Sequence, residues 1–170
     1  MLVDVYSVFG VFTIDIFEKN APLSSANFLA YVDKGLLSNS GVQRIVTPFN
    51  DRNELCKINV VQWGISDINK ALDPIPHETT LKTGINHEDG TLSLARLEPG
   101  SASGIFFICI GDQPELDCGG ERYADGEGFA AFGKVVHGME VVRNIYSFAE
   151  EKDYLKDLIP ITKVERSKRD

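Results

Sequence analysis

Eight short runs rich in β-branched and aromatic residues, each bounded by glycine, proline or turn-forming polar residues, constrain the fold of this chain more than any other feature. The opening stretch Leu2 to Phe17 alternates apolar and polar residues at Thr13-Ile14-Asp15-Ile16 and is broken at Gly10, so it reads as two strands joined by a tight turn. Val42 to Val46, Ile58 to Trp63, Thr91 to Ala95, Phe106 to Ile110, Phe132 to Val136 and Ile161 to Val164 supply six more. Only two stretches carry helical spacing. Phe28, Leu29 and Val32 follow Pro22 and Ser24, with Gly35 placed to end the helix. Val141, Val142 and Ile145 mark a second helix from about Met139 to Phe148. Eight short strands with two helices predict a mainly β chain whose antiparallel sheet closes into a barrel capped by two α-helices. Closure leaves no strand edge to recruit another chain. With 170 residues, 43% of them hydrophobic, the chain is expected to be one domain over residues 1–170.

The formal net charge of -8 repels a phosphate backbone, so nucleic acid is excluded as an expected partner. Lys163, Arg166, Lys168 and Arg169 near the C-terminus read as a solvated end without function. Cys56, Cys109 and Cys118 are odd in number and form no C-x-x-C pair, which predicts reduced thiols with at least one buried. No apolar run reaches the ~18 residues of a membrane span, and Asp4 interrupts any apolar signal region. The expected compartment is the cytoplasm, or the periplasm if an export signal has been removed. The segments Ser66 to Gly90 and Gly111 to Gly128 are long, poor in periodicity and rich in Gly, Pro and Asp. They are expected to be functional or mobile loops.

Several motifs fail on a required atom. Gly100-Ser101-Ala102-Ser103-Gly104 has Ala102 where a nucleophile elbow needs its serine, so a serine hydrolase is not supported. His77-Glu78 and His87-Glu88 lack the second histidine of a zinc-binding helix, and both histidines are expected to be ordinary loop residues. Asp117 and Asp125 lack the ligand spacing of a calcium loop and read as solvated turn carboxylates. No phosphate-binding glycine loop is present, and neither a metal nor a cofactor is expected.

What remains is a set of segments in one order along nearly the whole chain. They are Ala21-Pro22 with Asn27-Phe28 and Tyr31; Arg44-Ile45-Val46; Val61-Gln62-Trp63-Gly64; Gly90 to Arg96; Phe106-Phe107-Ile108; and Phe129 to Met139. Together they resemble the cyclophilin family of peptidyl-prolyl cis/trans isomerases. The resemblance implies rotation about the peptide bond preceding proline, with proline-containing peptides or proteins as partners and a role in folding. It makes Arg44 the catalytic donor to the prolyl nitrogen and Gln62 the residue that binds the substrate backbone. Phe107 and Leu116 would wall the proline pocket, and Ala95 would offer backbone contacts beside it.

The chain also departs from that family's pattern. The family places a pocket phenylalanine five positions after the arginine and the glutamine eight after, whereas Gln62 lies eighteen positions beyond Arg44, an insertion of about ten residues over 47–57. Counting forward from Arg44 puts Phe49 in the pocket; counting back from Gln62 puts Asn59 there. The second register is preferred, because Ile58 to Gln62 reads as one strand and Thr47 to Lys57 as a turn-rich loop. Val42 and Gln43 replace a phenylalanine and a histidine before the arginine. Phe129 replaces the pocket histidine and is expected to restore apolar surface. Ile105 replaces a loop glutamine, and Trp63 replaces a glycine, where it is expected to crowd the site. Glu115 replaces the tryptophan that holds cyclosporin, which predicts weak cyclosporin binding. A monomer is expected. The rival readings are a proline-peptide-binding module with little catalysis and a scaffold built around the inserted loop.

Overall fold

A computed structural model describes residues 1–169. Eight strands close into an antiparallel barrel: β1 (Leu2–Ser7), β2 (Gly10–Ile16), β3 (Ser40–Val46), β4 (Val60–Gly64), β5 (Thr91–Leu94), β6 (Ile105–Cys109), β7 (Ala130–His137) and β8 (Tyr154–Arg166). Around the barrel they run β1-β2-β7-β5-β6-β4-β3-β8, and β8 pairs back onto β1 with Val5 opposite Val164. The expected closed eight-stranded barrel is therefore met. Among the described residues the α-helices number three: α1 (Pro22–Asp33), α2 (Thr80–Thr83) and α3 (Met139–Tyr146).

The additional helix, α2, is a single turn inside a segment read as loop. Its four residues are too few to show a periodicity. It is made by local caps: the Thr79 side chain accepts from Lys82 N, and Gly84 closes the turn in the left-handed conformation. The C-terminal reading is also corrected. β8 begins at Tyr154 and takes in Lys163 and Arg166, with Arg166 bonded through two nitrogens to Asp33 and Arg169 bonded to the buried Asp4. Charged residues alternating on the outer face of a long strand look, in sequence, like a solvated tail.

Period two divides each strand between the barrel interior and its outer surface. Val3, Val5, Ile14, Val61, Trp63, Leu92, Leu94, Phe106, Ile108 and Phe132 fill the interior. Phe28 of α1 enters the same cluster and meets Trp63, Phe106 and Phe132 at ring-centroid distances of 6.2, 5.0 and 5.5 Å. Trp63 is thus an interior residue at 1% exposure and does not crowd the outer site. Val142 and Ile145 of α3 join this core. A second, smaller cluster of Val46, Ile58, Val60, Phe107, Cys109, Leu116 and Phe129 lies on the other side of the sheet. Neighbours Phe106 and Phe107 fall into different clusters.

Helix α1 starts with Ala21, which caps nothing, and Pro22, which has no amide hydrogen to satisfy. The remaining orphan donors are met from 54 and 55 residues away, since the Glu78 carboxylate accepts from Leu23 N and Ser24 N, and also from Ser24 Oγ. At the other end Gly35 N reaches Val32 O and Leu36 N reaches Tyr31 O, a Schellman closure that requires the left-handed backbone of Gly35 (φ 68°). Glu78 is 1% exposed, and among the described residues its carboxyl oxygens accept from these three donors only. Glu78→Gln is expected to destabilise the protein by about 2 kcal/mol in a denaturant titration, the scale of hydrogen bonds to a charged group.

Candidate active site

Arg44 reaches the outer surface only because β3 breaks its own alternation. Val42 and Arg44, two apart, would share one face of a regular strand. The β3–β4 register instead steps from Val42 opposite Trp63 to Arg44 opposite Gln62, leaving Gln43 as the extra residue of a bulge. Val42 and Ile45 therefore pack inside, while Arg44 and Val46 turn outward beside Gln62. The same point is irregular against β8, where Val42 faces Ile159 and Arg44 faces Tyr154.

Arg44 is held from behind. Its Nε donates to Asp153 Oδ2 at 2.8 Å, and Asp153 is fixed in turn by Ile45 N, which donates to its carbonyl. Nη1 reaches Gln62 Oε1 at 3.5 Å. The guanidinium lies 5.3 Å from the Tyr154 ring centroid. Burial would raise the Asp153 pKa, but the hydrogen bond and charge of Arg44, with those of Arg52, outweigh it and hold the carboxyl below its usual value. Nη2 of Arg44 has no hydrogen-bond partner among the described residues, and the Gln62 amide NH2 is likewise left to donate outward.

These groups open onto a cavity of about 370 Å³. Val60, Phe107, Leu116 and Phe129 form its apolar wall, with Ala95 at the rim and Arg44 and Gln62 opposite. Phe107 and Phe129 meet edge to face at 5.5 Å and 85°. The back of Phe107 rests on the His87 ring, stacked at 5.9 Å and 15°. Phe129 is aimed by its neighbour: Gly128 has φ 65°, a Cβ there would lie 2.5 Å from the Asp117 backbone, and its carbonyl accepts from Arg96 Nε at 2.8 Å. Arg96 also forms a two-point pair with Asp125 and lies over the rings of Tyr123 and Phe129 at 4.5 and 5.0 Å.

The candidate residues Arg44, Gln62, Phe107, Leu116, Ala95 and Phe129 all border this cavity, although they come from six separate places along the chain. Asn59 does not. It precedes the outward-facing Val60, so its side chain points the other way and accepts from the Tyr146 hydroxyl of α3. Val60 stands where Asn59 was expected, one position on. Phe49 does not fold back either; it is 99% exposed on the inserted loop. Glu115 is turned away, its carboxylate accepting from Glu121 N.

The sequence reading missed Asp153, Arg96, Arg122, Tyr123, Tyr154 and the pair Arg52 and Asn53, all of which border or support the cavity. Asp153 lies 109 residues from Arg44 and no local pattern connects them. His87, expected as an ordinary loop residue, and Asp117 and Asp125, expected as solvated turn carboxylates, are structural. The His87 ring is buried between Asp117 Oδ1 at 2.7 Å and Ser93 Oγ at 2.9 Å, and Asp125 pairs with Arg96. Among the described residues, no cluster of three or more His, Cys, Asp or Glu side chains could hold a metal.

Comparisons with known proteins bear on the family and the fold. A family model described as cyclophilin type peptidyl-prolyl cis-trans isomerase/CLD matches residues 2–166. Peptidyl-prolyl cis-trans isomerase A of Dickeya dadantii is 34% identical over 131 residues, which make up 75% of this chain and 62% of that protein, just under two thirds of its length. Peptidyl-prolyl cis-trans isomerase B of Escherichia coli is 29% identical over 160 residues, 94% of this chain and 92% of that one. A cyclophilin type isomerase of Cryptosporidium parvum, solved in the presence of the dipeptide Ala-Pro, superimposes with a TM-score of 0.78. It covers 99% of this chain and 100% of its own, and at 19% identity the likeness is one of fold.

Burial lowers the His87 pKa, and the hydrogen bond and charge of Asp117 only partly restore it. The folded protein thus keeps His87 neutral where the unfolded chain, near its ordinary value of about 6.5, begins to take up a proton. The stability this contributes is present above that pH and is lost as pH falls through the lower folded value. Denaturant titrations from about pH 7.5 down to about 5 are expected to show that loss, with a smaller pH slope in His87→Gln.

Proposed function

The chain belongs to the cyclophilin-type peptidyl-prolyl cis-trans isomerase family, and on that premise we propose that it catalyses rotation about the bond preceding proline in peptides and proteins, with Arg44 as the catalytic residue. The observation that carries this is the conjunction, in one cavity, of an apolar wall and a guanidinium with an uncommitted Nη2.

The barrier to rotation, ~18–20 kcal/mol, is the amide resonance lost when the bond twists. In the planar ground state the prolyl nitrogen lone pair is delocalised and a poor acceptor. At the twisted transition state it is localised and accepts a hydrogen bond. A donor aimed at it therefore binds the transition state better than the substrate, which is the condition for lowering a barrier. A guanidinium is a donor without proton exchange, and Asp153 fixes that of Arg44 through Nε, so little reorganisation is needed when the lone pair appears.

The proline ring lies against Phe107, Leu116, Phe129 and Val60. Gln62 donates its amide to the substrate backbone while its oxygen faces Arg44, holding one side of the bond while the other turns. Ala95 supplies backbone contacts along the rim. No bond is made or broken, so neither nucleophile, metal nor cofactor enters the cycle. Barrel closure leaves no free strand edge, and the protein acts as a monomer. The groove has no indole, since Glu115 is turned out of it, and cyclosporin binds weakly.

Arg44→Ala is expected to reduce the catalysed cis-to-trans rate of a proline tetrapeptide by at least ~10-fold, about 1.4 kcal/mol of barrier lowering. Asp153→Asn, which loosens Arg44 without removing it, is expected to lower kcat more than it changes KM. A folded wild-type protein that binds the peptide without accelerating exchange would favour the binding-module reading. In the same assay, excess cyclosporin is expected to leave most of the activity intact.

A further inference from the structure

The charge lining the cavity is opposite in sign to that of the whole chain. Every ionisable side chain bordering it, apart from tyrosine, is an arginine: Arg44, Arg52, Arg96 and Arg122, in a protein with a formal net charge of -8. Their carboxylate partners sit behind them. Arg96 pairs with Asp125, and Arg122 with Asp51 at 2.7 Å. Arg44 and Arg52 share a single oxygen, Asp153 Oδ2, at 2.8 and 3.2 Å. Four guanidiniums thus meet three carboxylates, and one positive charge is left without its own counter-ion.

The unbalanced charge resides at Arg52. The side chains of Arg44, Arg96 and Arg122 are 19%, 1% and 11% exposed, whereas that of Arg52 is 72% exposed. Its backbone is nonetheless rigidly set. On one side Asp51 accepts from Ile58 N and Arg122, and on the other Asn53 accepts from Leu55 N and Cys56 N. The loop that sequence comparison reads as an insertion is therefore a wall of the cavity. It presents a guanidinium fork with free donors beside the proline pocket.

We propose that this groove selects proline segments carrying a carboxylate side chain within two residues of the proline, and that Arg52 is the residue that recognises it. The acidic group completes the missing fourth ion pair. The inference rests on the groove being the proline-binding site described above. Long-range repulsion from a chain of charge -8 opposes any acidic ligand, so a preference for one must come from these local contacts.

The test is titration of the intact protein, followed by amide NMR shifts, with five peptides of one length. One is neutral, one carries Glu before the proline, one carries Glu after it, one carries Lys in the better of those positions, and one carries phosphoserine there. Tighter binding of one Glu peptide than of the neutral one, by about three- to tenfold at low salt and less at high salt, is expected. The Lys peptide is expected to be weakest. Arg52→Gln should abolish the ratio between Glu and neutral peptides, and Arg52→Lys should retain part of it. Equal or weaker binding of both Glu peptides, an advantage confined to phosphoserine, or a ratio unchanged in Arg52→Gln would each overturn the proposal. Exchange rates measured in the same samples separate the two readings. Acceleration without acidic preference sinks this inference alone, and acidic preference without acceleration sinks only the isomerase reading.

Discussion

A closed sheet has two faces, and everything in this protein follows from giving them different tasks. The inner face is packed by aromatic and branched side chains around Trp63, Phe28, Phe106 and Phe132, which fill the barrel. Binding must then occur on the outer face. There, side chains one position away from those of the core, such as Phe107 beside Phe106 and Gln62 beside Trp63, are held as firmly as the core itself. A site built on adjacent strands inherits their precision.

The chemistry proposed for the site needs orientation more than reactivity. A guanidinium needs no proton exchange to act as a donor, so what the fold supplies to Arg44 is direction: a buried carboxylate behind it, a tyrosine ring beside it and a glutamine across the strand pair. The same device recurs at Arg96 and Arg122. In each case a carboxylate backs a guanidinium, leaving the apolar wall and the outward donors in a stable arrangement. Arg96 further supports Phe129, and His87 supports Phe107. The pocket walls are thus fixed by polar groups that never face the cavity with their charges unpaired, Arg52 excepted.

The inserted loop is ordered by its own side chains. Asn50 bonds to Ile45 O and Glu150 O, Asp51 to Arg122, and Lys57 to the Asp51 carbonyl. Such a loop costs less order than its length suggests, since turn residues satisfy its backbone locally. Its exposed Phe49 and Leu55 are not accounted for by any contact within the protein.

Much of the architecture was legible in the sequence because it depends on local composition and punctuation. Runs of β-branched and aromatic residues marked all eight strands, Pro22 and Gly35 bounded α1, and the ordered segments around Arg44, Gln62 and Phe107 identified the family. Three decisions belonged to the tertiary structure. The bulge at Gln43 turns Arg44 outward against the simple alternation of β3, a matter of register between strands that no single strand encodes. The same register makes Val60, not Asn59, a wall of the cavity. Asp153, Glu78 and Asp117 act on partners 109, 54 and 30 residues away, and a carboxylate in a loop looks the same in sequence whether it meets water or a buried donor. Periodicity is a property of neighbours along the chain; counter-ions and caps are chosen by neighbours in space.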